Sequence, residues 1–180
     1  MRSKGLELKY PLSSFNIPPK LSGLLNKKPY KTVVLNGEPG SGKTKFLMAY
    51  CMERLKAEPL IINNLDGLRF YNGQPVIIMD DVAWPADIPR ENLIKLVDSE
   101  DSTTLNIKHA SVQIPENTWR IISTNTREFV QPKAGAIEVG APNPYNDEAV
   151  QRRISVHVLG KGVSLIKPIG EPLITPIRNQ

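Results

Sequence analysis

The residues with the clearest chemical potential are a glycine-rich run that ends in a lysine and a threonine. Residues 37–44 have the sequence GEPGSGKT and match the full pattern G-x-x-x-x-G-K-[ST], in which glycines let backbone N–H groups curl around phosphate oxygens. In that pattern the lysine neutralises the β- and γ-phosphates and the threonine hydroxyl reaches Mg²⁺. The sequence therefore predicts a phosphate site formed by Gly37, Glu38, Pro39, Gly40, Ser41, Gly42, Lys43, Thr44 and Lys45.

Two adjacent carboxylates follow a second apolar run, residues 76–79. Asp80 is placed to hold a metal ion through its waters, and Asp81 to polarise an attacking water as a general base. An acidic pair after a strand is also a common loop start. Beside a complete phosphate loop, the metal-binding interpretation is favoured, with Thr44 and Asp80 as the metal-binding residues.

A polar amide, Asn125, closes a further predicted strand, residues 120–124. It could lie beside a γ-phosphate and orient the attacking water, although a lone asparagine after a strand often only forms a turn. Since nucleotide sites assemble where parallel strands end, we favour the functional interpretation.

The elements around these residues predict how they are positioned. Residues 32–36 predict a buried strand before the glycine loop, and residues 43–56 predict a helix after it, whose dipole points its positive end at a bound anion. The inward face of that helix is expected to contain Phe46, Leu47, Tyr50, Cys51 and Leu55.

The remaining elements alternate between strands and helices. We predict strands at 60–62, 76–80, 120–124 and 154–159, and a β-hairpin at 105–114. We also predict helices from Pro89 to about Ser99 and from an N-cap at Asn146 through Arg153. This alternation predicts an α/β fold with a parallel sheet that is covered on both faces.

Composition limits the alternatives. The chain has 180 residues, enough for one domain, and its single cysteine excludes an internal disulfide. No apolar stretch approaches the roughly 20 residues of a membrane span, and no secretory signal is visible, so we expect an intracellular protein without membrane partners. The net charge is +6 over residues 1–31, −5 over 32–150 and +4 over 151–180. Basic ends can contact nucleic-acid phosphates or simply be solvated.

The order of these motifs resembles the superfamily 3 helicases of small DNA viruses. It is most similar to the helicase domain of replication-initiator (Rep) proteins from circular single-stranded DNA viruses and related plasmids, over about residues 32–160. The matching regions are Walker A at 37–44, Walker B at 76–81, B′ at 105–114, motif C at 121–125 and the arginine-finger region at 151–153.

The resemblance implies an AAA+-type P-loop NTPase with ATP and Mg²⁺ as cofactors. Such proteins assemble as homo-oligomeric rings, usually hexamers, and bind ATP between subunits. Arg152 or Arg153 would then reach the γ-phosphate of the neighbouring subunit, where an arginine supplied in trans stabilises the transition state. The two arginines could instead be a surface pair at a helix C-terminus, where cations are favoured.

The resemblance also implies that the hairpin binds DNA. Its tip, Lys108 and His109, would project into the ring channel and hold single-stranded DNA. Lys108 suits a phosphate contact, and His109 could add a hydrogen bond or stack on a sugar or base. An ordinary exposed turn is the alternative. The implied role is translocation on single-stranded DNA in rolling-circle replication, in the host nucleus if the source virus infects a eukaryote.

The chain also departs from the full-length initiators, which have an N-terminal nicking domain. That domain needs a His-hydrophobe-His metal site, whereas His109 and His157 lie far apart in the predicted ATPase region. We therefore expect the nicking endonuclease elsewhere in the full-length protein or in trans. We expect residues 1–31 to form a basic appendage, which could serve as a short oligomerisation or collar element. We expect residues 161–180 to form a Pro-rich strand and tail.

Three other interpretations stay open. A picornavirus-type RNA-virus ATPase shares the motif order, but no amphipathic membrane-binding segment is visible at the N-terminus. A P-loop small-molecule kinase would be monomeric and indifferent to DNA. An ATPase module that only loads partners would not be stimulated by nucleic acid.

Overall fold

The computed structural model describes residues 10–26, 31–108, 110–130 and 143–167, which form an α/β fold around a parallel sheet of five strands. The chain contributes β1 (Thr32–Asn36), β2 (Leu60–Ile62), β3 (Val76–Asp80), an antiparallel hairpin of β4 (Thr103–Ile107) and β5 (Ala110–Ile114), then β6 (Trp119–Thr124) and β7 (Ile154–Val158). The sheet order is β2-β3-β6-β1-β7, and every pair is parallel. The predicted strands and the hairpin are confirmed, with small shifts at their ends.

The described part of the chain has four α-helices, of which the first precedes β1 and the other three lie between strands. They are α1 (Pro19–Leu25), α2 (Lys43–Tyr50), α3 (Arg90–Val97) and α4 (Glu148–Gln151). A π-helical turn, Cys51–Leu55, continues α2, and short 3₁₀ turns occur at Leu12–Ser14, Leu65–Phe70 and Pro144–Asn146. None of the helices described is long and apolar enough to cross a membrane.

Both faces of the sheet are buried, as the apolar strands predicted. Side chains of successive strand residues point to opposite faces. One face packs against α3, the hairpin and α4 through residues such as Val34, Ile77 and Ile122. The other face packs against α2 and the N-terminal segment through Val33 and Ile78, among others.

The described part of the N-terminal segment packs onto the sheet domain. Leu21 and Leu25 of α1 are buried, and the Phe15 ring contacts Phe46 of α2 edge to face with centroids 5.6 Å apart. Burial of these apolar side chains offsets the weak helix propensity of Ser22-Gly23. Whether this segment also contacts another subunit stays a prediction.

Two element predictions need correction. Asn146 does not cap α4, because it lies in a 3₁₀ turn, and the cap is Asp147, whose carboxylate accepts a hydrogen bond from the Ala149 N–H at 2.8 Å. Residues 163–167 form no strand beyond a single bridge between Ile166 and Phe15. Most of the predicted loop 127–145, together with the predicted tail 168–180, lies outside the described residues.

Candidate functional site

The loop after β1 has a backbone suited to surrounding an anion. Gly40 and Gly42 have φ angles of 79° and 88°, a region that residues with side chains rarely adopt. Gly42 is also the N-cap of α2, and no side chain of the described residues caps that helix end. The first N–H groups of an α-helix have no partner within the helix, so they are available to a bound phosphate.

The Lys43 side chain folds back along this loop. Its ammonium donates to the carbonyl oxygens of Gly37 at 2.9 Å and Glu38 at 3.0 Å, and to Ser41 Oγ at 3.4 Å. Burial lowers the pKa of Lys43, while the nearby charges of Asp81 and then Asp80 raise it. The cation is therefore held at the loop beside two carboxylates.

A hydrogen bond joins the start of α2 to the end of β3. Thr44 Oγ1 donates to Asp80 Oδ1 at 2.7 Å, although β6 lies between β1 and β3 in the sheet. A hydroxyl and a carboxylate at this distance can share one Mg²⁺. No group of three or more His, Cys, Asp or Glu side chains suited to a metal occurs within residues 10–26, 31–108, 110–130 and 143–167. One hydroxyl and one carboxylate are oxygen donors of the kind that Mg²⁺ accepts when water and other oxygen ligands complete its shell.

Asp81 lines the same cleft as the loop. Its backbone has a φ of 47°, and its N–H donates to the Ser123 carbonyl of β6 at 2.8 Å. The cleft has a volume of about 250 Å³ and is lined by Pro39, Gly40, Gly42, Lys43, Thr44, Lys45, Asp81 and Ile166. A carboxylate thus faces the residues predicted to hold a phosphate and a metal.

Asn125 follows β6 at the same edge of the sheet. Asp80 pairs with Ser123, and Asn36 pairs with Thr124, so Asn125 emerges between the ends of β3 and β1. It is exposed and does not line the cleft. The loop after it is anchored by Asn36, whose Nδ2 donates to the Thr126 carbonyl at 2.5 Å.

A segment near the C-terminal end covers part of the phosphate loop. The Gly162 N–H donates to Glu38 Oε1 at 2.6 Å, and the Leu165 N–H donates to the Ser41 carbonyl at 2.8 Å. Ile166 follows and lines the cleft. The contact is long-range in sequence, and sequence reasoning missed it.

The two candidate arginines lie at the opposite edge of the sheet from the cleft. Ile154, the first residue of β7, pairs with Thr32 at the start of β1, whereas the phosphate loop follows the end of β1. Five residues at about 3.3 Å each separate these edges by roughly 16 Å. Arg152 and Arg153 are thus remote from the phosphate loop of their own chain.

The environments of the two arginines differ. Arg153 is partly buried, with Nε 3.3 Å from Asp98 Oδ2 and Nη1 donating to the Ala149 carbonyl at 2.9 Å. Arg152 is the C-cap of α4 and is exposed, and its side chain has no hydrogen-bond or ion-pair partner among the described residues. Of the two, Arg152 is the one that presents its guanidinium to the surroundings.

The hairpin has the shape that its sequence predicted. Leu105, Val112 and Ile114 are buried against the core, while the residues that alternate with them are exposed. Ile107 pairs with Ala110, so only residues 108 and 109 lie between the strands. Lys108 is exposed at this turn, and His109 lies outside the described residues.

Sequence reasoning missed a buried cation, Arg120, near the amino end of β6. It is fully buried in β6, and burial lowers its pKa to about 10, although Asp98 and Tyr71 oppose that shift. A charged residue inside the apolar run 119–124 was the visible signal. A buried charge needs hydrogen-bond or charged partners, so a charged residue at this position predicts such partners elsewhere in the chain.

The chain was also compared with known proteins. No protein-family model matches it, and no curated protein matches its sequence.

Proposed function

We propose that the chain is a P-loop ATPase with an AAA+-like sheet, which binds ATP and Mg²⁺ in the cleft after β1. The 2.7 Å hydrogen bond between Thr44 Oγ1 and Asp80 Oδ1 carries this proposal, because it joins a phosphate loop to a carboxylate across an intervening strand. The sheet order supports it, since β6 between β1 and β3 brings three strand ends to one cleft.

Residues in the cleft and beside it then have roles in hydrolysis. Backbone N–H groups of the loop, among them those of Gly40 and Gly42, and the Lys43 ammonium would bind the phosphates, and Thr44 and Asp80 would hold Mg²⁺. Asp81 accepts a proton from the attacking water, and Asn125 orients that water. When bound to Thr44 and Asp80, Mg²⁺ would neutralise part of the phosphate charge.

We further propose that active sites are shared between subunits of a homo-oligomeric ring, as in hexameric helicases. Arg152 is the finger of the pair, because Arg153 is engaged by Asp98 and Ala149. The separation of Arg152 from the phosphate loop of its own chain favours action in trans. An arginine in trans stabilises the transition state and makes hydrolysis depend on the neighbour.

The substrate track we propose is single-stranded DNA. Lys108 at the exposed hairpin tip would hold a backbone phosphate, and hydrolysis would move that tip along the channel. Such contacts carry no base readout and weaken as salt rises. The role would be that of the helicase portion of a replication initiator, acting with a nicking endonuclease in the same protein or in trans.

The test is steady-state ATP hydrolysis at rising protein concentration, with and without single-stranded DNA or single-stranded RNA. We expect the rate per chain to rise with protein concentration and to rise again with DNA. Lys108→Ala should remove most of the DNA stimulation and leave the basal rate, while the matched control Lys31→Ala, an exposed lysine before β1, should change neither.

Other results would redirect the proposal. Stimulation by RNA alone would favour the RNA-virus ATPase. A rate per chain that is flat in both concentration and DNA would contradict the shared site and the hairpin role together, and a monomeric phosphotransferase would then be the better hypothesis.

A further inference from the structure

A buried polar cluster lies at the amino ends of the strands, opposite the phosphate cleft. We call it the amino-edge cluster, and its members are Thr32, Asp98, Thr103, Arg120 and Arg153. Thr32 and Arg120 are fully buried and Asp98 is nearly so. Thr103 and Arg153 are partly buried, and Arg120 Nε has no partner among the described residues, so the other polar atoms of the cluster depend on one another for hydrogen bonds.

Arg120 joins the end of α3 to the base of the hairpin. Its Nη1 donates to the carbonyl oxygens of Lys95 at 2.9 Å and Leu96 at 3.3 Å, and also to that of Asp98. Its Nη2 donates to Thr103 Oγ1, in the first residue of β4, at 3.3 Å. One guanidinium thus caps the C-terminus of α3, where cations are favoured, and fixes the start of the hairpin.

Asp98 connects this end of α3 to the segment with the two arginines. Its Oδ2 lies 3.3 Å from Arg153 Nε, and its Oδ1 accepts from the Glu100 N–H at 3.0 Å. The Arg153 carbonyl accepts from the Thr32 N–H at 3.0 Å, and the Thr32 hydroxyl donates to the Val97 carbonyl at 2.8 Å. Both the side chain and the backbone of Arg153 are therefore fixed.

We propose that Asp98 is a positioning residue for Arg152, the arginine offered to the neighbouring subunit. Arg152 itself is exposed, so its direction depends on the backbone that Arg153 anchors. Because Arg120 also holds Thr103, the arginine segment and the DNA-binding hairpin share one anchor. This inference rests on the proposed function, and it adds the residue that aims the arginine.

A subunit-mixing assay tests the inference. Chains with Lys43→Met have a crippled phosphate loop but offer Arg152, and chains with Arg152→Ala keep the phosphate loop but offer no arginine, so the mixture should hydrolyse ATP much faster than either chain alone. Asp98→Asn keeps the oxygen that accepts from Glu100 and removes the charge that pairs with Arg153. Asp98→Asn is added to the Lys43→Met chain in one mixture and to the Arg152→Ala chain in a second mixture.

We expect an asymmetric result. In the Lys43→Met chain, Asp98→Asn should lower kcat of the mixture on the order of 10- to 100-fold with little change in KM, because a misplaced arginine weakens the transition state and not ATP binding. In the Arg152→Ala chain, the same substitution should leave the rate unchanged. Asp101→Asn, an exposed aspartate in the same turn, should have no effect in either chain.

Two results would overturn the inference in different ways. Equal losses in both chains, or none in either, would overturn the positioning role alone. Failure of the unmodified mixture to hydrolyse ATP would overturn both this role and the shared site. Melting temperatures of all six variant chains identify losses that come from unfolding.

Discussion

Two buried cations in this protein have similar burial and hydrogen-bond partners, but they differ in whether a ligand can reach them. Lys43 and Arg120 are 6% and 0% exposed, and each donates to backbone carbonyl oxygens. Burial lowers the pKa of both, and neighbouring carboxylates oppose that shift in each case. By burial and hydrogen bonding alone, the two residues could be assigned the same role.

The residues around Lys43 and Arg120 distinguish the roles of these two cations. Lys43 lines an open cleft with Asp81 and a loop whose backbone is shaped for an anion, whereas the partners of Arg120 are the end of a helix and the base of a hairpin. A buried cation therefore marks a ligand site only where a ligand can reach it. We expect Arg120 to determine stability and Lys43 to determine activity.

The largest effect is expected from Arg120→Met. Three carbonyl oxygens, two of them in buried hydrogen bonds, lose this donor, and the shape of the side chain is roughly retained. The free energy of unfolding should fall by about 3–5 kcal/mol, measured by urea titration. A change below about 1 kcal/mol would show that the guanidinium is not needed to satisfy these groups.

Lys43→Met is expected to have the opposite profile. ATP hydrolysis should fall roughly 100- to 1,000-fold, because a charge aimed at the phosphates is lost. The free energy of unfolding should stay within about 1 kcal/mol of the wild type. A hydrolysis rate equal to that of the wild type would remove Lys43 from the site.

Gly42→Ala should have an intermediate effect on both stability and activity. The residue has a φ of 88°, and an added Cβ would lie 2.8 Å from Ile166 Cγ1. The strain of a left-handed backbone costs about 1–2 kcal/mol. We expect a drop of that size in unfolding free energy, with weakened ATP binding, whereas Gly73→Ala, also at positive φ but without a nearby atom, should lower stability only.

The smallest effect comes from a third buried ionisable group, His157 of β7. Its Nδ1 has no hydrogen-bond partner among the described residues, and burial, followed by the charge of Lys20, lowers its pKa below 6.5. As the pH falls below 6.5, the unfolded chain therefore binds more protons than the folded chain. The free energy of unfolding consequently decreases below pH 6.5, whereas this contribution to stability is retained above that pH. In thermal melts, His157→Leu should weaken this acid dependence, and an unchanged pH profile would exclude His157 as its source.

The sequence was sufficient for features that depend on neighbouring residues. The glycine loop, Lys43 and Thr44 follow one another in the chain, and the apolar strand and helix around them are encoded locally. The apolar runs also predicted parallel strands, whose carboxyl ends meet at one edge of the sheet. The approach of Asp80 to Thr44 could therefore be predicted from the order of the motifs along the chain.

Features that depend on distant partners could not be predicted. Arg120 satisfies carbonyl groups more than 20 residues earlier, and Glu38 accepts from an N–H that lies 124 residues later. The cap of α4 was misassigned by one residue, because Pro144 begins a 3₁₀ turn that includes Asn146. The choice between Arg152 and Arg153 also needed the contact with Asp98, which no local pattern encodes.

The most direct test of the central claim is calorimetric titration with ATP, in the presence of Mg²⁺ and in the presence of a chelator. The proposed site predicts that the wild type binds more tightly with Mg²⁺, and that Thr44→Val or Asp80→Asn reduces the Mg²⁺-dependent gain by roughly 10- to 100-fold. The matched changes Thr104→Val and Asp101→Asn, at exposed positions, should leave that gain intact. Equal affinity with and without Mg²⁺, or variants that bind like the wild type, would contradict the assignment of Thr44 and Asp80 to a shared metal.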